Sequence, residues 1–322
     1  MKKGLLLLAL ATVLLLLNGC ASQTADPLLK NEATDAPGLA MNLPPALVGS
    51  DEAGIAKVTL YYRYLDEPML AGEARDLTVP KDESVEFAIV QALTESPSAG
   101  HSDLRRLLPA GTQVESVVSR GNTLFVTFNS GFLDDGIPAQ WADDPQWKTE
   151  APLKRWLTVQ SIVASVTEYH PYAGIQILVH RIDEDQNSLR LDNAYFLNGA
   201  TGLSEPIARD ETVLLTAGNT AEMILLAWQQ RDDERLYRYV MDDGKPPLAS
   251  FSENLQNRAG LKDFSVSGGS VSVSGTDAVV TVSLKIPGPN GEISVITYPL
   301  ALIRDNGIWK ITYSALQALM EL

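Results

Sequence analysis

Val114-Glu115-Ser116-Val117-Val118-Ser119-Arg120-Gly121-Asn122-Thr123-Leu124-Phe125-Val126-Thr127-Phe128 decides the fold class of the first half of this chain. Two runs rich in β-branched and aromatic residues, Val114 to Val118 and Leu124 to Phe128, flank Gly121-Asn122, a pair that accepts the positive φ angles of a tight hairpin turn. Upstream, Val58, Leu60, Tyr62 and Tyr64 alternate with Thr59, Tyr61 and Arg63 at the period of two of a half-buried strand, and Leu77 and Val79 mark another short extended piece. Asp82 or Ser84 can cap a helix to about Glu95, whose Val85, Ala88, Ile89, Ala92 and Leu93 form one apolar face, with Pro97 ending it. Downstream, Leu153 to Tyr169 repeats the helical period through Val159, Ile162, Val163 and Val166, closed by Pro171. Ile175, Ile177 and Val179 then make a strand, and a last one is expected over Leu189 to Leu197. The order β-α-β-β-α-β predicts an α+β domain over residues 55–200, with one sheet and its helices on one face.

The second half, residues 209–322, reads as helices followed by a meander. Glu211 to Gln230 carries Leu214, Leu215, Ala221, Ile224, Leu225 and Trp228 on one stripe, Leu236 to Val240 continues as a shorter helix, and Phe251 to Arg258 fits a third before Gly260. From there only strands are expected: Phe264 to Ser267, Val271 to Ser274, a longer strand through Val280, Val282, Leu284 and Ile286, then Ile293 to Arg304 and Ile308 to Ser314. The turns fall at Pro287-Gly288-Pro289-Asn290-Gly291 and Asp305-Asn306-Gly307.

The amino terminus has a different character. Lys2 and Lys3 precede an apolar run from Gly4 to Leu17, the pattern of a secretory signal over residues 1–19, and the polar Asn18 stops the run short of the roughly 20 residues a membrane span needs. Leu17-Asn18-Gly19-Cys20 resembles the lipobox of bacterial lipoproteins, although Asn18 departs from the usual small residue. That resemblance implies acylation of Cys20, the one cysteine of the chain, with palmitate-type chains as the anchor. Each buried methylene holds the membrane by about 0.8 kcal/mol. Residues 20–54 are rich in Ala, Asp, Asn and Pro without apolar periodicity, and read as a flexible tether with a reach on the order of 30 Å. The expected location is extracytoplasmic, lipid-anchored to the cell membrane, with other envelope proteins as partners.

Further pieces carry family resemblances. Ala92-Leu93 before Ser96-Pro97, Leu108-Pro109-Ala110-Gly111-Thr112, Leu124 through Phe132 and Gln160-Ser161-Ile162-Val163-Ala164-Ser165-Val166-Thr167 together resemble the GerMN domain named for sporulation and germination proteins. The resemblance implies a small ring-building domain of envelope complexes, without catalysis. In the second half, Ala227-Trp228-Gln229-Gln230-Arg231-Asp232 and Gly307-Ile308-Trp309-Lys310-Ile311, with the element order, resemble the nuclear transport factor two-like family. That resemblance implies a cystatin-like cone of helix and curved sheet, whose members include enzymes, ligand binders and inert modules.

Residues able to do chemistry are sparse. The three histidines, His101, His170 and His180, do not share a helix face, and no G-x-S-x-G, Walker, G-x-G-x-x-G or H-E-x-x-H pattern is present. Asp183-Glu184-Asp185-Gln186-Asn187 has alternating oxygen ligands, but Ser188 and Ala194 stand where a calcium loop needs Gly and Glu, so no metal or cofactor is expected. A formal charge of −15 excludes a nucleic-acid partner. Trp141 and Trp147, among Asp134, Asp135, Asp143 and Asp144, are candidate contact residues, because indoles in a loop are costly to leave wet. Trp228, Tyr237 and Trp309 are candidates to line the mouth of the second-half cone, with core packing as their other use. Two functions stay open: a non-catalytic, membrane-tethered interaction or scaffold protein, and a small-ligand-binding or weakly catalytic cone.

Overall fold

A computed structural model describes residues 54–134, 143–180, 188–288 and 291–322. The signal, Cys20, nearly all of the tether, Trp141, the Asp183–Asn187 run and the Pro289-Asn290 turn lie outside the described residues.

The first half is α+β, as expected, but its strands form two sheets. In the first, β1 (Gly54–Tyr64) pairs along its length with β2 (Leu70–Val79), a complete ten-residue strand where only Leu77 and Val79 had signalled one. α1 (Val85–Leu93) follows, capped by the Ser84 hydroxyl, which accepts from the Phe87 N–H at 3.1 Å. β3 (Leu104–Arg105) meets β1 only at Arg63 and Tyr64. The second sheet has the order β4-β5-β6-β7. Its hairpin, β4 (Val114–Arg120) and β5 (Thr123–Asn129), turns at Gly121 with φ +60°, as the sequence required. The long helix α2 (Pro145–Tyr169) then returns the chain so that β6 (Gly174–His180) lies parallel to β5, and β7 (Ser188–Arg190) closes the edge.

Three expectations here need correction. α2 begins eight residues before Leu153: Asp144 accepts from the Gln146 N–H at 2.8 Å and from the Trp147 N–H at 3.3 Å, and Pro145 occupies the first turn, where its missing N–H costs nothing. Pro152 sits inside this helix, so Trp147 lies on its first turn and not in a loop. Leu189 to Leu197 is no single strand; it is the three-residue β7 followed by a 3-10 turn, Asn193–Phe196, capped by Asp192. The single sheet fails because α2 occupies the free edge of β1. The Tyr61 N–H donates to Ser165 Oγ at 2.8 Å, and Ser161 Oγ donates to the Tyr61 carbonyl at 2.5 Å. A helix there satisfies the backbone groups a further strand would have used.

The second half is also α+β. A 3-10 turn, Glu211–Val213, precedes α3 (Ala217–Gln230), so the expected helix over 211–230 is broken. Between them Leu214 is extended and bridges Leu70, and the Leu215 N–H donates to the Leu70 carbonyl at 2.8 Å. α4 (Asp233–Arg238) and α5 (Leu248–Gln256) follow. The antiparallel sheet has the order β11-β10-β9-β8, from β8 (Asp263–Val271), β9 (Asp277–Gly288), β10 (Gly291–Asp305) and β11 (Ile308–Lys310). β8 is one strand with a bulge between Ser267 and Gly269, where two had been expected. The chain does not end in strand. Thr312 accepts from the Ala315 N–H at 3.2 Å and starts α6 (Tyr313–Leu319), whose Leu316 and Leu319 are buried.

The two halves share one continuous core. At their junction Glu67, 4% exposed, takes the Arg235 guanidinium on both oxygens, with Nε at 2.9 Å from Oε1 and 3.0 Å from Oε2. The Tyr64 hydroxyl donates to the Arg238 carbonyl at 3.2 Å, and its ring packs 5.6 Å from that of Tyr239. Gly307, at φ +85°, closes the contact: a Cβ there would lie 2.1 Å from the Gly72 carbonyl oxygen. Among the described residues no helix is long and apolar enough to cross a membrane.

Candidate functional site

The sequence motifs of the first half fall where the fold is pinned. Asn129 Oδ1 accepts from the Gln113 N–H at 2.9 Å while its Nδ2 donates to the Gly111 carbonyl at 3.0 Å, tying the end of β5 to the Pro109–Thr112 loop. Gly131 is required beside it, because a Cβ there would sit 2.3 Å from Gly111 O. Phe132 then stacks on Phe128 at 4.7 Å and on Tyr195 at 5.6 Å. On α2 the buried Gln160 donates to the Ala208 carbonyl at 3.0 Å and accepts from the Asp210 N–H at 3.0 Å, fixing the segment that leads into the second half. Arg209 in that segment reaches Glu168 at 2.8 Å and Glu211 at 2.7 Å, with its guanidinium 5.4 Å from the Tyr61 ring centroid.

The titratable groups are engaged in the same way. Glu73, 1% exposed, lies 2.9 Å from Arg75 at each oxygen and also accepts from the Ser98 N–H. His101 Nδ1 is 2.9 Å from Ser98 Oγ, His180 Nδ1 is 2.9 Å from Glu115 Oε2, and the His170 ring lies 4.6 Å from that of Tyr172. Burial pushes the Tyr62 phenol up to about 12. Burial and a hydrogen bond to the Glu86 carboxylate push Tyr172 to about 12 as well. Among the described residues no three His, Cys, Asp or Glu side chains gather as metal ligands.

The three aromatics expected at a cone mouth meet different surroundings. Trp228 is 2% exposed and its indole N–H donates to the Ala259 carbonyl at 3.1 Å. Trp309 is also buried, with the Arg304 guanidinium 5.6 Å from its ring. The Tyr237 hydroxyl donates to the Pro246 carbonyl at 3.1 Å, and its ring is held between Phe251 at 5.1 Å and the Lys245 ammonium at 4.0 Å. Trp147 is half-buried on the first turn of α2.

Two surfaces of the first half are less fully committed. One is the outward side of the second sheet. Leu124, Val126, Phe128, Ile175, Ile177 and Val179 point into the core, so the alternate residues Val118, Phe125 and Leu178 face away from it. Val118 is 49% exposed, and Phe125 and Leu178 are half-buried. The other is a groove of about 520 Å³ where β7, the 3-10 turn after it and α2 diverge. Leu133, Leu189 and Leu203 line it together with Arg155, Arg190 and Asp192. Neither surface was foreseen from the sequence: the groove draws on five separate segments, and the outward face becomes visible only once the strand register is known.

Residues 59–180 match the family described as Germane, sporulation and spore germination. Among solved structures, the first GerMN domain of the sporulation protein GerM from Bacillus subtilis is 20% identical, covering 48% of this chain and 98% of that one, with a TM-score of 0.31. The tandem GerMN domains of the same protein are 14% identical over 80% of this chain at a TM-score of 0.32, and this chain spans 62% of their length. A sec-c motif containing protein from Psychrobacter arcticus is 10% identical over 36% of this chain and 76% of that one, at a TM-score of 0.26. No curated protein matches the chain.

Proposed function

We propose that this chain is a non-catalytic, extracytoplasmic lipoprotein that acts as an interaction or scaffold component of the cell envelope, in sporulation or germination. The observation that carries the reading is the outward side of the second sheet, where Val118 is exposed and Phe125 and Leu178 are half-buried beside the buried Thr127 and Gln176, on a rigid, hydrogen-bonded surface. Apolar groups left on a sheet of this kind cost solubility unless another surface covers them. The family match supports the process, and the signal and lipobox pattern ending at Cys20 supports the location. The shared core and the Glu67–Arg235 pair support the idea that both halves work as one rigid body.

The test has two arms. Labelled palmitate is incorporated into the wild type, and Cys20→Ala abolishes incorporation and releases the protein from the membrane fraction. Chemical cross-linking in intact cells captures partner proteins with the wild type, and Val118→Asp combined with Phe125→Asp loses them. Recovery of the monomer alone from wild-type cells overturns the interaction reading, and a Cys20→Ala protein that stays membrane-bound overturns the anchor.

A further inference from the structure

β4 is an outer strand of the second sheet. Only Gly121 and Asn122 join it to β5, so Arg120 and Thr123 exchange both backbone hydrogen bonds, and the bonding pairs recur at Val118 with Phe125 and at Ser116 with Thr127. The N–H and C=O groups of Val117 and Ser119 therefore point the other way, off the sheet. No other backbone group among the described residues bonds to them.

The remaining outer strands are blunted or held. β3, β7 and β11 have three residues or fewer, β8 is bent by its bulge between Ser267 and Gly269, and β2 begins against the second half, where Leu70 takes the Leu215 N–H. In β4 the irregularity falls between Val114 and Ser116, so Ser116 to Arg120 is regular and free of proline. Two side chains on the outward side of this edge are uncommitted. Val118 is exposed, and Arg120, two residues on and also exposed, lies 5.8 Å from the Phe125 ring centroid with no carboxylate partner among the described residues.

We infer that the β4 edge binds an extended segment of a partner protein as a fifth strand, with an apolar residue of that segment beside Val118 and an acidic residue two positions away beside Arg120. The inference rests on the interaction reading above and gives its mode. A strand supplies the backbone partners that Val117 and Ser119 lack, whereas a helix or a folded face would bury those groups unpaired. Residues two apart on the added strand fall on one side, as Val118 and Arg120 do. Antiparallel pairing with β4 of a second copy puts Val114, Ser116 or Val118 opposite Arg120, and no carboxylate.

The test is photo-cross-linking in intact cells from a photoreactive amino acid at position 118, alone and combined with Ser119→Pro, Ser119→Ala or Arg120→Glu, with the melting temperature of each purified protein measured alongside. Ser119→Pro removes one outward N–H at an exposed position and is expected to lower the yield of the cross-linked partner about tenfold, while Ser119→Ala keeps the N–H and the yield. Arg120→Glu, an exposed substitution that leaves the fold intact, lowers the yield about fivefold and decides the charge independently. A yield unchanged by Ser119→Pro, or lost equally with Ser119→Ala, overturns the added strand and leaves the interaction reading standing. Indifference to Arg120→Glu overturns the acidic residue. No product without these substitutions overturns the added strand and the interaction reading together.

Discussion

Arg235→Leu strips the Glu67 carboxylate of the guanidinium that holds it at the junction of the two halves. Glu67 is 4% exposed and both of its oxygens accept from Arg235, so the variant leaves a buried charge unpaired. Breaking a buried pair on one side costs about 3–5 kcal/mol. The arginine side chain keeps 19% of its surface in water, which places the loss near the lower end, about 3 kcal/mol. Loss of the Nη2 contact to Met223 Sδ at 3.4 Å adds little. Glu67→Leu in the same background removes the stranded charge, and the double variant is expected within about 1.5 kcal/mol of the wild type, because an apolar pair can replace a buried ion pair. Urea unfolding of the four proteins of this cycle gives each stability and the coupling between the sites. A loss below about 1 kcal/mol in Arg235→Leu, or a double variant as unstable as the sum of the singles, would refute the pair as a buried fastening.

Other expectations follow from the same geometry. Ser161→Ala and Ser165→Ala each leave one backbone group of Tyr61 unsatisfied at the β1 edge, so each lowers stability by about 1–2 kcal/mol, seen in urea unfolding; additive losses would argue against a shared site. Gly131→Ala forces a methyl onto the Gly111 carbonyl and costs about 1–3 kcal/mol, with faster amide exchange in the Pro109–Thr112 loop as its signature. The raised phenols give a pH dependence. Tyr62 and Tyr172 hold their protons more tightly folded than unfolded, so their contribution to stability is complete below about pH 10 and is lost as the pH rises toward about 12. Ultraviolet titration of tyrosinate in the folded protein should leave these phenols unionised after the exposed ones have titrated; uniform titration near pH 10 would contradict their burial.

The sequence is most legible where local chemistry and tertiary structure agree. Gly121 adopts the positive φ that its hairpin needs, Ser84 caps α1, and the alternation in β1 and β9 is the alternation of buried and exposed side chains. It misleads where a local signal is overridden. Pro152 and the polar first turns around Gln146, Lys148 and Glu150 conceal the start of α2, although Asp144-Pro145 is a readable cap. Ile311 and Thr312 continue the look of a strand, yet Thr312 is the cap of α6. Leu214 fits a helical stripe and is instead held extended by Leu70. Contacts between distant positions leave no local trace: Glu67 and Arg235 stand 168 residues apart, and the Arg190 groove joins segments that share no pattern. The same holds for Trp228 and Trp309, whose burial is decided by the sheet and helices around them.

The most direct measurement for the interaction role is photo-cross-linking in intact cells, with a photoreactive amino acid at Val118 on the open sheet face and, as a control, at Val273, which is fully exposed in the second half. The account predicts a discrete cross-linked product with another envelope protein from position 118, dependent on Cys20, and none from position 273. No product from position 118, or the same products from both positions, would contradict it.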